Sequence, residues 1–345
     1  MAFLELKNVR IAGMSACVPK SIEYTKDNPY ISADYDFEDF IEKTGIHSRR
    51  KDESLVTSDM WCAAAEKLIC DLGWDKKEID VIISCTQGPD YIAPCTACIS
   101  QDRLGLSKEC YAAEIPLGCS GWVYGLSYIG SLLSTGCMKK GLLLVGDART
   151  VLPTSDPIVG FAGTATAIEF QEGAEGFKFH FGTDGSGYEA IIIPDGGARN
   201  RISAKSLQME DINGRQLCRL QSRMNGMDVF SFAITTAPKS MKKLAEHFKL
   251  NLESIDYCVL HQANMQIDEI IRNKMKFPKE KVPMCLPDFG NTSSASIPLT
   301  IVSQLRGKVE NKYTKFLCCG FGIGLSWGSL AFDSEGMVLS DLVEI

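Results

Sequence analysis

The sequence predicts an α/β protein of 345 residues, built as a duplicated five-layer α/β/α/β/α sandwich. Three observations predict it. Short apolar, strand-like runs alternate with helix-like segments, the pattern of helices layered on sheets. Two of these runs recur at about half the chain length. "EIDVIISCTQ" (Glu78 to Gln87) is echoed by "SIDYCVLHQA" (Ser254 to Ala263), and "KKGLLLVGD" (Lys139 to Asp147) by "YTKFLCCGF" (Tyr313 to Phe321). Between the two runs of each half lies a helix start, "GCSGWVYGLSYIGSLL" in one and "GNTSSASIPLTIVSQL" in the other. Neither helix has a polar face, so both are buried. Two buried helices between two sheets make the five layers.

Strands are expected at Val9 to Cys17, Asp80 to Cys85, Tyr111 to Pro116, Leu142 to Val145, Ile255 to Leu260, Lys315 to Cys319 and Trp327 to Phe332. The first buried helix carries Trp122, Val123, Leu126, Ile129, Leu132 and Leu133; the second carries Ile297, Leu299, Ile301, Val302 and Leu305. The halves are expected at 1–175 and 176–345, with no linker long enough to separate them into independent units.

Composition narrows the function classes. With 45% hydrophobic and 23% charged residues the chain reads as an ordinary soluble globular protein. Its formal net charge of −7 argues against a nucleic-acid binder, which needs a basic surface to displace counterions. The start "MAFLELKNVRIAG" lacks the basic and long apolar regions of a signal peptide, and no apolar run is long enough to predict a membrane span. Fourteen cysteines without an export signal point to the reducing cytoplasm. "CTAC" (Cys95 to Cys98) has redox or zinc spacing, yet no second ligand pair accompanies it, so no metal is expected. Cys318 and Cys319 read as packing in a buried strand.

If the halves superpose, Cys119 and Asn291 occupy equivalent places just inside the two central helices. His261 follows its strand at the carboxyl end, where open α/β sheets bring ligands. Cys, His and Asn then meet at one pseudo-twofold site. A helix N-terminus favours a thiolate and lowers a thiol pKa from its usual ~8.5 into the range of about 3.5–7.5. His261 serves as base or as oxyanion donor, and Asn291 only as a hydrogen-bonding group. Taken singly, a Cys after Gly is ordinary packing, "HQAN" a turn and "GNTSS" a helix cap. Their joint placement by the repeat makes them a site. "GCSGW" lacks the glycine spacing of a serine-hydrolase elbow, and "CGFGIG" lacks that of a dinucleotide loop.

At these residues the sequence resembles the β-ketoacyl-acyl-carrier-protein synthase III family of thiolase-fold condensing enzymes. The likeness runs along nearly the whole chain: "EKTGIHSRR", "GCSGW", "HFGTDGSG", "MNGMDVFSFA", "LHQAN", "FGNTSSASIP" and "GFGIGLSWGS", in that order. The resemblance implies a thiolase-like fold, a homodimer, and a triad of Cys119, His261 and Asn291. It implies that Cys119 takes an acyl group from an acyl-CoA or acyl-carrier-protein primer. The backbone N–H groups of Cys119 and Ile323 would form the oxyanion hole. His261 and Asn291 would then promote decarboxylation of a malonyl-carrier or malonyl-CoA thioester for a Claisen condensation, with no cofactor beyond these substrates.

Several positions depart from the family pattern. Asp39 and Lys43 stand where a Trp and an Arg usually contact the coenzyme A nucleotide. Gln266 replaces an Arg important for carrier protein. Ala93 replaces a bulky acyl-pocket gate, which points to a larger primer. "AGTATA" (Ala162 to Ala167) lacks the usual Asp, and Ile323 replaces a glycine of the oxyanion loop. Arg272, Lys274, Lys276, Lys279 and Lys281 read either as a docking patch for an acidic carrier or as a solvated helix face. Rival functions are a non-condensing acyltransferase, a hydroxymethylglutaryl-type or thiolytic enzyme, and an inactive partner subunit. The Asn291 match argues against the second, and retention of Cys119 against the third.

Overall fold

The computed structural model describes residues 2–28, 36–148, 156–212 and 215–345. Its first large sheet runs, in spatial order, Val338–Leu339, Val9–Val18, Ala162–Phe170, Lys140–Asp147, Val81–Cys85 and Tyr111–Ile115, with Val343–Glu344 also on Val9–Val18. The second runs Ala2–Leu6, Phe177–Thr183, Ser326–Ser334, Thr314–Gly322 and Tyr257–Leu260. The repeat read from sequence is visible in strand direction. Val9–Val18, Ala162–Phe170, Lys140–Asp147 and Val81–Cys85 pair antiparallel, antiparallel, parallel. Phe177–Thr183, Ser326–Ser334, Thr314–Gly322 and Tyr257–Leu260 pair in the same sequence.

The central layer is the two apolar helices. Gly121–Leu133 packs on Val81–Cys85 and Lys140–Asp147 of one sheet and on Thr314–Gly322 and Ser326–Ser334 of the other. Ser296–Leu305 touches Val9–Val18 and Tyr257–Leu260 in the same way. Helices Thr57–Leu72 and Thr96–Arg103 cover the outer face of the first sheet, and Gly226–Phe248 with Met265–Met275 that of the second. Both sheet faces are therefore dry. That is why Val81–Cys85 and Lys140–Asp147 read as unbroken apolar runs rather than alternating ones. Trp122 and Leu299 are fully buried, and the Trp122 indole N–H reaches Thr166 Oγ1 at 3.0 Å. Leu299→Ala should destabilise the protein by about 3–5 kcal/mol, read from a urea midpoint, because neither sheet can collapse onto the lost volume.

All seven predicted strands are present, most within two residues of their expected ends. Two were missed. Ala162–Phe170 begins with small residues, and its Gly163 is pressed against Met60 and Trp61 so closely that any Cβ would clash. Phe177–Thr183 is the other. The chain also exchanges its ends. Ala2–Leu6 pairs with Phe177–Thr183 in the second sheet, while Val338–Leu339 and Val343–Glu344 pair with Val9–Val18 in the first. A boundary near residue 175 thus parts the two sheets except at the termini, which cross over and cover otherwise open edges.

Candidate active site

Cys119 sits in the loop between strand Tyr111–Ile115 and helix Gly121–Leu133, two residues before the first helical turn. Ser120 holds the cap position without a side-chain cap. The thiol is therefore outside the helix, not just inside it, and the expected fall in its pKa does not occur. Burial pushes the Cys119 thiol up to about 12, and the Asp147 carboxylate adds repulsion. The N–H groups of Cys119 and Ile323 and the Ser293 hydroxyl face the sulfur and favour its thiolate, but desolvation outweighs them. Asp147 is fixed in place by Thr86 Oγ1 at 2.5 Å and by the N–H groups of Gln87 and Gly88 at 2.8 and 3.0 Å. The residue keeps partial exposure although burial dominates at its sulfur.

The glycines of "CGFGIG" explain that close packing. A Cβ on Gly322 would lie 2.9 Å from Cys119 Cβ and 3.0 Å from Sγ, and one on Gly320 would lie 3.0 Å from Cys119 O. The strand Thr314–Gly322 can pass directly beneath the thiol only because these residues lack side chains. Ile323 keeps its backbone in place: its carbonyl accepts from Ser326 Oγ at 2.8 Å, and Ser326 Oγ is 2.8 Å from Ser120 Oγ. Its side chain packs against Gly118.

His261 follows strand Tyr257–Leu260, and its N–H donates to Cys319 O at 2.9 Å. The ring is buried at 2% exposure, with Nδ1 2.8 Å from Ser296 Oγ and the Phe321 ring edge-on at 5.4 Å. Burial lowers its pKa to about 4, against a contact with the Ser293 backbone that favours the cation. At neutral pH the site thus holds a neutral thiol and a neutral imidazole. Asn291 lies five residues before helix Ser296–Leu305, with the short turn Ser293–Ala295 between. Its N–H donates to Ile158 O at 2.8 Å and its carbonyl accepts from Gly160 N at 3.0 Å. Oδ1 accepts from Ser293 N at 2.9 Å, and among the described residues Nδ2 donates to nothing.

Ser293 is the residue that sequence reasoning missed. It touches Cys119, His261 and Asn291, from a left-handed backbone with φ of 54° that a side chain rarely adopts. "TSS" reads locally as a cap, which hid it. A second missed residue is Arg49, buried at 2% exposure. Its Nε donates to Glu23 Oε1 at 2.8 Å, and its Nη1 to the carbonyls of Asp156 and, at 3.1 Å, Val159. Val159 bridges directly to Asn291, so Arg49 props the segment that holds the amide. Arg49→Met should cost about 3–5 kcal/mol by stranding Glu23 and two carbonyls, seen as a lowered urea midpoint.

The remaining expected residues lie apart. Ala93 is exposed on the loop after Val81–Cys85. Lys43 pairs with Asp39 at 2.6 Å on helix Phe37–Thr44, an ion pair where stacking is expected in the family. Gln266 is exposed on helix Met265–Met275. Arg272 is bound to Glu269 at 2.6 Å and Lys281 to Ile255 O at 2.6 Å, while Lys274, Lys276 and Lys279 are the exposed members of that cluster, Lys274 with its ammonium on Ile234 O at 2.9 Å. Among the described residues no group of three or more His, Cys, Asp or Glu is arranged to hold a metal, and no helix is long and apolar enough to cross a membrane. Two surface hollows, of about 290 and 340 Å³, are lined by residues such as Lys249 and Lys312 and do not include Cys119, His261 or Asn291.

This architecture, two like halves around paired buried helices with a thiol at their junction, is that of the thiolase-fold condensing enzymes. The profile of the 3-oxoacyl-[acyl-carrier-protein] synthase III C-terminal region matches residues 245–334. The β-ketoacyl-[acyl-carrier-protein] synthase III of Clostridium acetobutylicum is 33% identical over 330 residues, spanning 94% of this chain and 98% of that protein. The enzyme of the same name from Fusobacterium nucleatum is also 33% identical, over 94% of this chain and 98% of its own. A crystal structure of a 3-oxoacyl-(acyl-carrier protein) synthase from Burkholderia xenovorans superposes with a TM-score of 0.92 at 32% identity, covering 100% of this chain and 99% of that one. The chain belongs to the β-ketoacyl-[acyl-carrier-protein] synthase III family.

Proposed function

We propose that this protein is a decarboxylating β-ketoacyl thioester synthase that carries its primer on Cys119. The observation that carries the reading is the meeting of a buried thiol, a neutral imidazole and an amide donor through Ser293. In the first step Cys119 sulfur attacks the carbonyl of an acyl-CoA or acyl-carrier thioester. The N–H groups of Cys119 and Ile323 receive the oxyanion, and the carrier leaves as a thiol with the proton from Cys119. In the second step a malonyl thioester loses carbon dioxide. The enolate oxygen is held by an N–H of His261 and by Asn291 Nδ2. Burial keeps His261 neutral, so it acts as a donor without surrendering charge to the enolate. The enolate carbon attacks the acyl-Cys carbonyl, the carbon–sulfur bond breaks to release the β-ketoacyl thioester, and the departing Cys119 thiolate takes one proton from solvent to regenerate the thiol. Dry surroundings protect both the acyl-enzyme and the enolate from water.

No cofactor enters this sequence. The Asp39–Lys43 pair, Gln266 and Ala93 support an unusual primer in place of acetyl-CoA, with Lys43, Gln266, Arg272 and Lys274 on the carrier side. Strand Tyr111–Ile115 ends the first sheet with its outer edge unpaired among the described residues and Tyr111 47% exposed, which supports a homodimer joined edge to edge. Fourteen free cysteines support a cytoplasmic location.

Intact-mass measurement against a panel of acyl-CoA and acyl-carrier thioesters tests the proposal. One acyl adduct is expected on the wild type and none on Cys119→Ala, with carbon dioxide released when a malonyl thioester follows. An adduct that passes to a hydroxyl or amine without carbon dioxide release would instead identify a non-condensing acyltransferase.

A further inference from the structure

One pair among the described cysteines has its sulfurs in contact. Cys95 Sγ and Cys98 Sγ lie 3.4 Å apart, a thiol hydrogen bond rather than a covalent one. Cys95 is the N-cap residue of the eight-residue helix Thr96–Arg103 yet offers no side-chain cap, and Cys98 N–H donates to Cys95 O at 3.2 Å within that first turn. Neither sulfur belongs to an apolar core cluster, Cys95 is partly exposed, and Cys98 is exposed. Cys17, Cys85, Cys258, Cys285, Cys318 and Cys319, by contrast, are all buried. Packing does not account for the pair, and no metal-ligand cluster surrounds it among the described residues. Two thiols three residues apart at a helix start, one exposed and one partly so, with their sulfurs 3.4 Å apart, are placed where a small rotation would bring them to bonding distance.

The pair is also tied to the loop beside the nucleophile. Thr96, between the two cysteines, accepts the Asp90 N–H on its Oγ1 at 3.2 Å. Its own N–H donates to Glu114 Oε2 at 3.0 Å, an oxygen that also accepts from Ser84 Oγ at 2.9 Å. At the other end of the loop Gln87 and Gly88 are pinned to Asp147, and the Gln87 side chain lies against Gly118, the neighbour of Cys119. Residues 87–90 thus run from the wall of the thiol site to the turn that carries both cysteines.

We propose that Cys95 and Cys98 form a redox site, a dithiol that closes to a disulfide by exchange with a glutathione-type disulfide and so changes access to Cys119. The thiolate of the exposed Cys98 attacks the small disulfide, forming a mixed disulfide and releasing one glutathione thiolate. Cys95 then attacks Cys98 Sγ and releases the second. The protein loses two protons and two electrons, and the small disulfide becomes two thiols. The new bond fixes the turn on both sides of Thr96 and, through Asp90, the loop against Gly118. This extends the acyl-transfer reading, but its test does not depend on that reading.

The test equilibrates the full-length protein in buffers of graded reduced and oxidised glutathione, quenches with iodoacetamide and counts alkylated cysteines by peptide mass spectrometry. Cys95 and Cys98 should lose alkylation together through a single midpoint. Cys95→Ser and Cys98→Ser should each hold a mixed disulfide on the remaining thiol instead. After removal of glutathione, and with Cys119 confirmed as a free thiol, the alkylation rate of Cys119 should differ between oxidised and reduced wild type by about fivefold or more. That difference should vanish in Cys98→Ser. Independent alkylation of both thiols across the whole range overturns the proposal. So does a disulfide that forms without altering Cys119 reactivity.

Discussion

Asn291→Ala should abolish most malonyl decarboxylation while leaving acylation of Cys119 close to wild type. In the proposed reaction this amide donates to the enolate oxygen, a charge that develops only in the second step. Removing one such donor costs about 2.7–4 kcal/mol of transition-state stabilisation, a fall of roughly 10²–10³ in rate. Two readouts separate the steps: the rate of acyl-adduct formation by intact mass, and carbon dioxide release from the loaded enzyme. His261→Ala should give a loss of similar size in the second. Equal losses in both half-reactions for Asn291→Ala would sink the assignment, because the amide would then be supporting the fold of the Cys119 loop. The short turn at Ser293 makes that distinction necessary, since Ser293 touches all three groups.

Asp268→Leu should stabilise the protein, increasingly so as pH rises. Asp268 lies on the buried face of helix Met265–Met275 with 0% exposure, and neither carboxyl oxygen has a hydrogen-bond partner among the described residues. Burial raises its pKa well above the carboxylate range, and the Glu269 charge adds to the rise. The unfolded chain releases this proton near pH ~3.9 while the folded one keeps it, so wild-type stability falls as pH rises from there towards the folded value. The slope is about 1.4 kcal/mol per pH unit. His261 works in the opposite sense. Its pKa is lowered to about 4, so its contribution is present above the unfolded value near 6.5 and is lost as pH falls towards 4. In the wild type the two slopes oppose each other across that interval. Urea titrations at several pH values between 4.5 and 6.5 should show the Asp268→Leu advantage growing with pH. An advantage independent of pH would mean that Asp268 ionises normally in the folded state.

The sequence by itself determined the layered fold and most strands of its two large sheets, because both signals are local or repetitive. An all-apolar helix must be buried, and two echoes half a chain apart report two like halves. It also singled out Cys119, His261 and Asn291, which the structure brings together around Ser293. Three things waited for the tertiary structure. The strand Ala162–Phe170 is held by packing against Met60 and Trp61, contacts that small residues do not announce. The exchange of the terminal strands between sheets depends on edges that exist only once both sheets have formed. The protonation of the site is the third. Helix polarity alone suggested an ionised cysteine, whereas the packed protein holds a neutral one, with Asp147 fixed nearby and the strand of Gly320 and Gly322 pressed beneath it. Desolvation is a property of everything that surrounds an atom, and most of what surrounds Cys119 is distant in sequence.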